Sequence, residues 1–264
     1  EGAILSGVDG LICASLETLN LEKSMIKNLS GLNCPSLKTL HLEDTQIDDI
    51  SPLKGLKLEK LDISETLVRD VSPLNGMPLK ELNLSWTKIS YISPLKGMRL
   101  TSLNLYNTKV SDLTPLKGMP LESLNIDKTN VKDISPLKGM PLTHFVFSKL
   151  KEPDLQIVKG MPLESLTFTF DKDFEDLSPL KGMKLRDLCL DNTKVKDLTP
   201  LKGMPLRYLS LENTQVEDIS PLKGASLRTL DLKNTKVRDI SPLKGMRLRQ
   251  IFLDNTPVKD LTPL

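Results

Sequence analysis

Aromatic residues are scarce in this chain. One Trp, three Tyr and six Phe make up 4% of 264 residues, too few to fill a large conventional core. Histidine occurs only at His41 and His144. Cysteine occurs three times, an odd number that does not make a disulfide framework. No apolar run approaches the ~18 residues that a membrane helix needs, which argues against membrane insertion. No segment reads as a targeting peptide. The formal net charge is +2, so charge alone exerts no strong pull toward nucleic acid or acidic membrane. CxxC, HExxH, P-loop and GxSxG signatures are all missing, which argues against an enzyme and against a bound cofactor or metal.

What the chain does contain is repetition. The stretch DISPLKGMPL runs from Asp133 to Leu142, and near-copies begin at Asp49, Asp112, Asp197 and Asp239. Counting the leucine after each GMP-type turn as position 1 places it at Leu16, Leu37, Leu58, Leu79, Leu100, Leu121, Leu142, Leu163, Leu185, Leu206, Leu227 and Leu248. Every step is 21 residues except the 22-residue step after Leu163. Twelve repeats of LxxLxLxxTxVxDLSPLKGMP therefore fill residues 16–264 as one continuous domain, after a partial repeat or cap over 1–15. A fixed period of this length marks a solenoid. The pattern runs to both termini without an evident polar cap, so a piece of a longer polypeptide is expected.

The repeat LxxLxLxx, followed by a small polar residue and then an Ile or Val, resembles the leucine-rich-repeat signature. Its short period is similar to the SDS22-like and internalin-like class. Asn usually stands at position 9 of such repeats; here it is Thr, at Thr45, Thr66, Thr87, Thr108, Thr129, Thr193, Thr214, Thr235 and Thr256. The TxVxDLSPLKGMP form resembles arrays in large bacterial proteins, some of which also carry serine/threonine kinase domains. The resemblance implies an α/β solenoid: a leucine-rich-repeat arc with a concave parallel β-sheet and short 3₁₀ turns or loops on the convex side.

The residues make physical sense of such a coil. Tyr208-Leu209-Ser210-Leu211-Glu212 alternates with period two, the mark of a short strand with Leu inward. A threonine hydroxyl at position 9 can satisfy a buried backbone group. Ten copies of [ST]PL predict one short 3₁₀-like turn per repeat, with Ser or Thr as cap and Pro starting the turn. The following Gly is expected at positive φ. A single repeat buries too little to stand alone, so stacking supplies the shared core.

Chemically competent constellations are sparse. His41 and His144 stand five coils apart, ~24 Å by strand spacing, too far for a shared metal or relay. The Asp column at position 13 (Asp49, Asp70, Asp112, Asp133, Asp197, Asp218, Asp239, Asp260) is read as capping the turn or pairing with lysines. One carboxylate per coil offers too few oxygens for calcium. Lys54, Lys96, Lys117, Lys138, Lys202, Lys223 and Lys244 form a stripe on the convex side, read as solvated, with an anionic partner as the alternative. Arg186, Arg207, Arg228 and Arg249 share position 2 and are expected to pair across strands with nearby acids such as Asp187, Asp191 and Glu212. Cys13 and Cys34 occupy one phase on adjacent coils; two reduced core thiols are expected, with a disulfide within geometric reach. Cys189, outward at position 5, is read as an exposed thiol that favours a reducing, cytoplasmic setting.

The repetition fails between Leu142 and Lys184, where five of the six phenylalanines fall. By phase, Phe145, Phe147 and Phe168 point inward, Phe174 replaces the aliphatic residue of position 11, and Phe170 stands at the rim. His144 and Val146 point out. Trp86, Tyr106, Tyr208 and Phe252 also interrupt a face that is otherwise Ser, Asn and Asp. Aromatic side chains on such a face are typical interface anchors. The expected site is a protein-binding one on the concave face, formed by Trp86, Tyr106, His144, Val146, Phe170 and Tyr208. The expected function is a protein–protein interaction module of a larger bacterial protein. A structural spacer, or a surface protein that binds anions or glycans, is the alternative.

Overall fold

The computed structural model describes residues 7–8, 11–148, 150, 155–169 and 173–264, and its contacts divide the chain into two compact units, 1–140 and 141–264. In the first unit six three-residue strands follow one another: β1 Thr18–Asn20, β2 Thr39–His41, β3 Lys60–Asp62, β4 Glu81–Asn83, β5 Ser102–Asn104 and β6 Ser123–Asn125. Each pairs in parallel with the next at an offset of one repeat, as Leu40 does with Leu61. The second unit holds β7 His144–Ser148, β8 Ser165–Thr169, β9 Asp187–Cys189, β10 Tyr208–Ser210, β11 Thr229–Asp231 and β12 Gln250–Phe252. They pair in the same manner, with Ser165 opposite Asp187 where the extra residue is absorbed.

The core follows from the period-two pattern. Leucines at positions 4 and 6, such as Leu82, Leu84, Leu209 and Leu211, are buried, as are the aliphatic residues of positions 11, 14 and 17. Nine coils hook their turn with threonine: the position-9 hydroxyl donates to the carbonyl of position 6 at 2.6–2.8 Å. The hydroxyl bonds within its own coil, as a short polar side chain next to a turn readily does.

Away from the sheet, 3₁₀ turns such as Ser51–Leu53 and Thr199–Leu201 stand where [ST]PL predicts them. Their cap is the position-13 aspartate, one of the roles expected for it, and not the serine or threonine. The serine hydroxyl does not cap; it is itself held. Asp49 accepts the Ser51 amide at 2.7 Å through one carboxylate oxygen and the Ser51 hydroxyl at 2.7 Å through the other. The same clamp recurs at Asp70, Asp133, Asp176, Asp218 and Asp239. A carboxylate that receives two donors at a turn outcompetes a hydroxyl as acceptor. The turn then ends in a type II bend. Lys54 lies at φ −56° and ψ 124°, Gly55 at φ 89°, and the Leu56 amide donates to the Leu53 carbonyl at 3.0 Å. Only glycine takes that third corner without strain.

The phenylalanine-rich coils keep the plan with longer strands. Phe145, Phe147 and Phe168 are fully buried, and Phe174 fills the position-11 site. Their rings form a continuous stack, with centroids 4.6, 4.7 and 4.6 Å apart. The two β-strands of this stack run five residues rather than three, because the inward rings extend the buried face.

Candidate functional site

In the first unit the outward edge of the sheet is aromatic. Asn104 closes β5 by accepting the Tyr106 amide at 3.0 Å, which turns the Tyr106 side chain outward beside the strand end. Trp86, one coil earlier, stands at position 8, where the backbone is left-handed in ten coils with φ of 53–61°. The other residues here are Asn, Asp, Glu and Lys; Asn recurs five times because its short polar side chain tolerates this region. Trp86 adopts φ 60° all the same, and its amide donates to the Tyr106 carbonyl at 2.8 Å. Its ring meets Tyr106 edge-on at 5.4 Å, and half of its surface remains exposed. Lys128 completes the cluster. Its Nζ lies 5.0 Å from the Tyr106 ring centre and 2.6 Å from the Tyr106 hydroxyl, which holds the ammonium above its ordinary pKa.

Two further exposed apolar residues flank this cluster in sequence. Leu67 is 52% exposed at position 10 of the preceding coil, and Tyr91 is 66% exposed at position 13 of the same coil as Trp86. Tyr91 replaces the aspartate that clamps the turn in other coils. That break in the Asp column was visible in the sequence; the role of Lys128 was not, because it depends on contact across two coils.

In the second unit the expected residues do not converge. His144 and Val146 point outward from β7, and the His144 Nδ1 lies 2.9 Å from the Thr143 hydroxyl. Tyr208 stands on β10, three strands away, ~14 Å by strand spacing. Burial raises its phenol pKa. Phe170 lies outside the described residues. From β9 to β12 the face carries polar pairs. Asp191 accepts the Ser210 hydroxyl at 2.6 Å and the Glu212 amide at 2.9 Å. Lys233 pairs with Asp231 at 3.1 Å and Glu212 at 3.4 Å, and lies 5.3 Å above the Phe252 ring.

Three expectations need correction. Cys189 is not an exposed thiol: it is half-buried, and burial, followed by the charge of Asp191, pushes its pKa up to about 12. It therefore no longer supports a reducing setting. Cys13 and Cys34 are not separate thiols but a disulfide, with Cα atoms 4.7 Å apart. The arginine column pairs only at its start, where Arg186 meets Glu164 at 3.3 Å. Among the described residues, Arg207, Arg228 and Arg249 have no carboxylate within 4.0 Å; Asp191, Glu212 and Asp231 stand at the far end of the strands and pair with the partners above. Also among the described residues, no three His, Cys, Asp or Glu side chains converge as metal ligands would, and no helix is long and apolar enough to cross a membrane.

A short strand, a threonine hook, a clamped 3₁₀ turn and a glycine bend, renewed every 21 residues, define a leucine-rich-repeat solenoid. The family model described as leucine-rich repeats in two copies matches residues 14–55 and 206–245. The chain is thus a leucine-rich-repeat protein, and bacterial, internalin-like members of that class are among the structures it resembles. An internalin from Listeria monocytogenes superposes with a TM-score of 0.76 at 26% identity, over 94% of this chain and 83% of that one. A leucine-rich-repeat protein of Leptospira interrogans gives 0.68 at 21% identity, over 92% and 68%. The functional domain of InlJ from Listeria monocytogenes, which includes a cysteine ladder, gives 0.58 at 20% identity, over 90% and 65%. No curated protein sequence matches the chain.

Proposed function

We propose that this chain is a protein-binding module whose partner docks on the outward sheet edge of the first unit, with Trp86 and Tyr106 as anchors. Leucine-rich-repeat folds commonly mediate protein–protein interaction, and the reading here is of binding rather than catalysis. The carrying observation is the pairing of Trp86 with Tyr106. A half-exposed tryptophan occupies a left-handed backbone position that disfavours it, and is held in place by a ring that Lys128 holds in turn. Pre-ordered aromatic side chains lose little entropy on binding, and Trp and Tyr dominate interface energetics. In the second unit, His144, Val146 and Tyr208 are separate, secondary contact points of the same proposal.

A peptide display library selected on the full chain tests this reading. Binders of the wild type are expected to weaken at least tenfold on Trp86→Asn and on Tyr106→Ala, and to tolerate Arg228→Gln. Selected binders that hold equally to Trp86→Asn would overturn the proposal.

A further inference from the structure

The edge of the coils between the glycine bend and the strand forms the same groove more than once. In the first unit one such groove is lined at position 2 by Glu17, Lys38, Glu59 and Lys80. The signs alternate, and the pairs close at 2.8 Å for Lys38–Glu17 and 2.6 Å for Lys80–Glu59. In the second unit the groove beside Arg186 carries Glu164, and those two pair. The last of these grooves, of about 440 Å³, is lined by Arg228, Lys244, Arg247 and Arg249 together with glycine, serine and aliphatic residues. It contains four cations and no acid.

Register makes the clustering obligatory. The Arg228 amide donates to the Arg207 carbonyl at 2.8 Å and the Arg249 amide to the Arg228 carbonyl at 2.7 Å. Three arginine backbones therefore recur at ~4.8 Å, one per coil, which gathers their guanidinium groups on one edge. All three side chains are exposed. Like charges gathered on one edge repel, which costs folding energy. Where the fold needs charge at position 2, it balances it; here it does not.

We infer that the groove of Arg228, Lys244, Arg247 and Arg249, extended by Arg207, binds a linear sulfated polysaccharide. Guanidinium forks fit oxyanions in bidentate fashion, and one arginine per coil along a single edge suits a polymer that presents sulfates along its length. Single-stranded nucleic acid offers phosphates at similar density but is held by aromatic platforms under its bases. No aromatic side chain lines this groove. The site lies in the second unit and is independent of the Trp86 edge.

Size-fractionated heparin oligosaccharide, labelled with fluorophore, is the probe, titrated into the full chain at low salt and followed by fluorescence polarisation. Saturable binding is expected, weakening steeply as salt rises. Arg207→Gln/Arg228→Gln/Arg249→Gln should weaken it at least tenfold with an unchanged circular dichroism spectrum. The corresponding lysine triple variant should retain low-salt binding with lower affinity. Lys54→Gln/Lys96→Gln/Lys117→Gln removes the same charge from the lysine stripe of the first unit and should leave binding unchanged. Three results overturn the proposal: no binding at low salt, an equal loss in the lysine-stripe variant, or a labelled oligothymidylate that binds as tightly as heparin and is released by the same arginine substitutions.

Discussion

Replacing Trp86 by asparagine separates what this residue does for the fold from what it offers a partner. Trp86 is 51% exposed, so about half of a side chain of roughly 200 Å² is covered. At ~25 cal/mol per Å² that burial contributes at most ~2.5 kcal/mol, since the unfolded chain already hides part of it. The edge-on contact with Tyr106 adds ~1 kcal/mol. Against this stands a left-handed backbone at φ 60°, which costs a residue with an ordinary side chain ~1–2 kcal/mol and asparagine less. Trp86→Ala therefore loses the packing and keeps the strain, about 3 kcal/mol in all. Trp86→Asn loses the packing but relieves ~1 kcal/mol of strain, for a net loss of about 2 kcal/mol. The assay is urea denaturation of the full chain followed by far-ultraviolet circular dichroism, because the substitution removes the only tryptophan fluorophore. Hydrogen exchange at the amide of residue 86, which bonds to the Tyr106 carbonyl, gives a local reading of the same change. The expected order of stability is wild type, then Asn, then Ala, with a gap of ~1 kcal/mol between the variants. Alanine equal to or better than asparagine would refute the strain reasoning. A loss well above 4 kcal/mol for asparagine would make Trp86 a pillar of the fold rather than a surface anchor.

Other outcomes follow from the same geometry. Phe147→Ala should destabilise the second unit by ~3–5 kcal/mol, because Phe147 stacks on both Phe145 and Phe168 in a sealed core, whereas Phe147→Leu should cost only ~1 kcal/mol; denaturant titration distinguishes them, and a loss below ~1 kcal/mol for alanine would contradict the stack. Hydrogen bonds from Ser or Thr hydroxyls, and then from their backbone amides, hold the carboxyls of Asp49, Asp70, Asp112 and Asp197 below the ordinary carboxylate value. Their contribution is therefore complete above the unfolded value near 4 and is lost as pH falls through the folded values; the melting temperature should decline below about pH 4, and Asp49→Asn/Asp70→Asn/Asp112→Asn should flatten that decline. Cys189, with its thiol pushed up to about 12, should react with iodoacetamide at pH 8 at least about tenfold more slowly than glutathione, and Asp191→Asn should speed it; alkylation as fast as glutathione would contradict its burial.

The fold was largely legible because a solenoid is a local code renewed every coil. Period-two leucines, the [ST]PL turn, the glycine bend and the inward phenylalanines each depend on residues within one repeat, and each stands where the pattern placed it. The clamp was legible in part: the position-13 aspartates read as capping the turn, and only geometry shows that Asp49 accepts from Ser51, two residues on, and that the serine is not itself the cap. The candidate site was half legible. Trp86 and Tyr106 were visible as breaks in a polar face, yet their contact, the Lys128 lock and the left-handed backbone beneath Trp86 depend on stacking between coils.

Amino-acid periodicity thus specifies what each coil is, since hydrogen bonds and side-chain burial within a 21-residue turn leave one solution. It does not specify which side chains on neighbouring coils share a partner. Asp191, Glu212 and Asp231 look available to the arginine column in sequence, but in the folded chain they are spent on Ser210, the Glu212 amide and Lys233. Arg207, Arg228 and Arg249 stand at position 2, before the strand, whereas these acids stand at positions 5 and 7, at its end or past it, and the extended backbone between them holds the two sets apart.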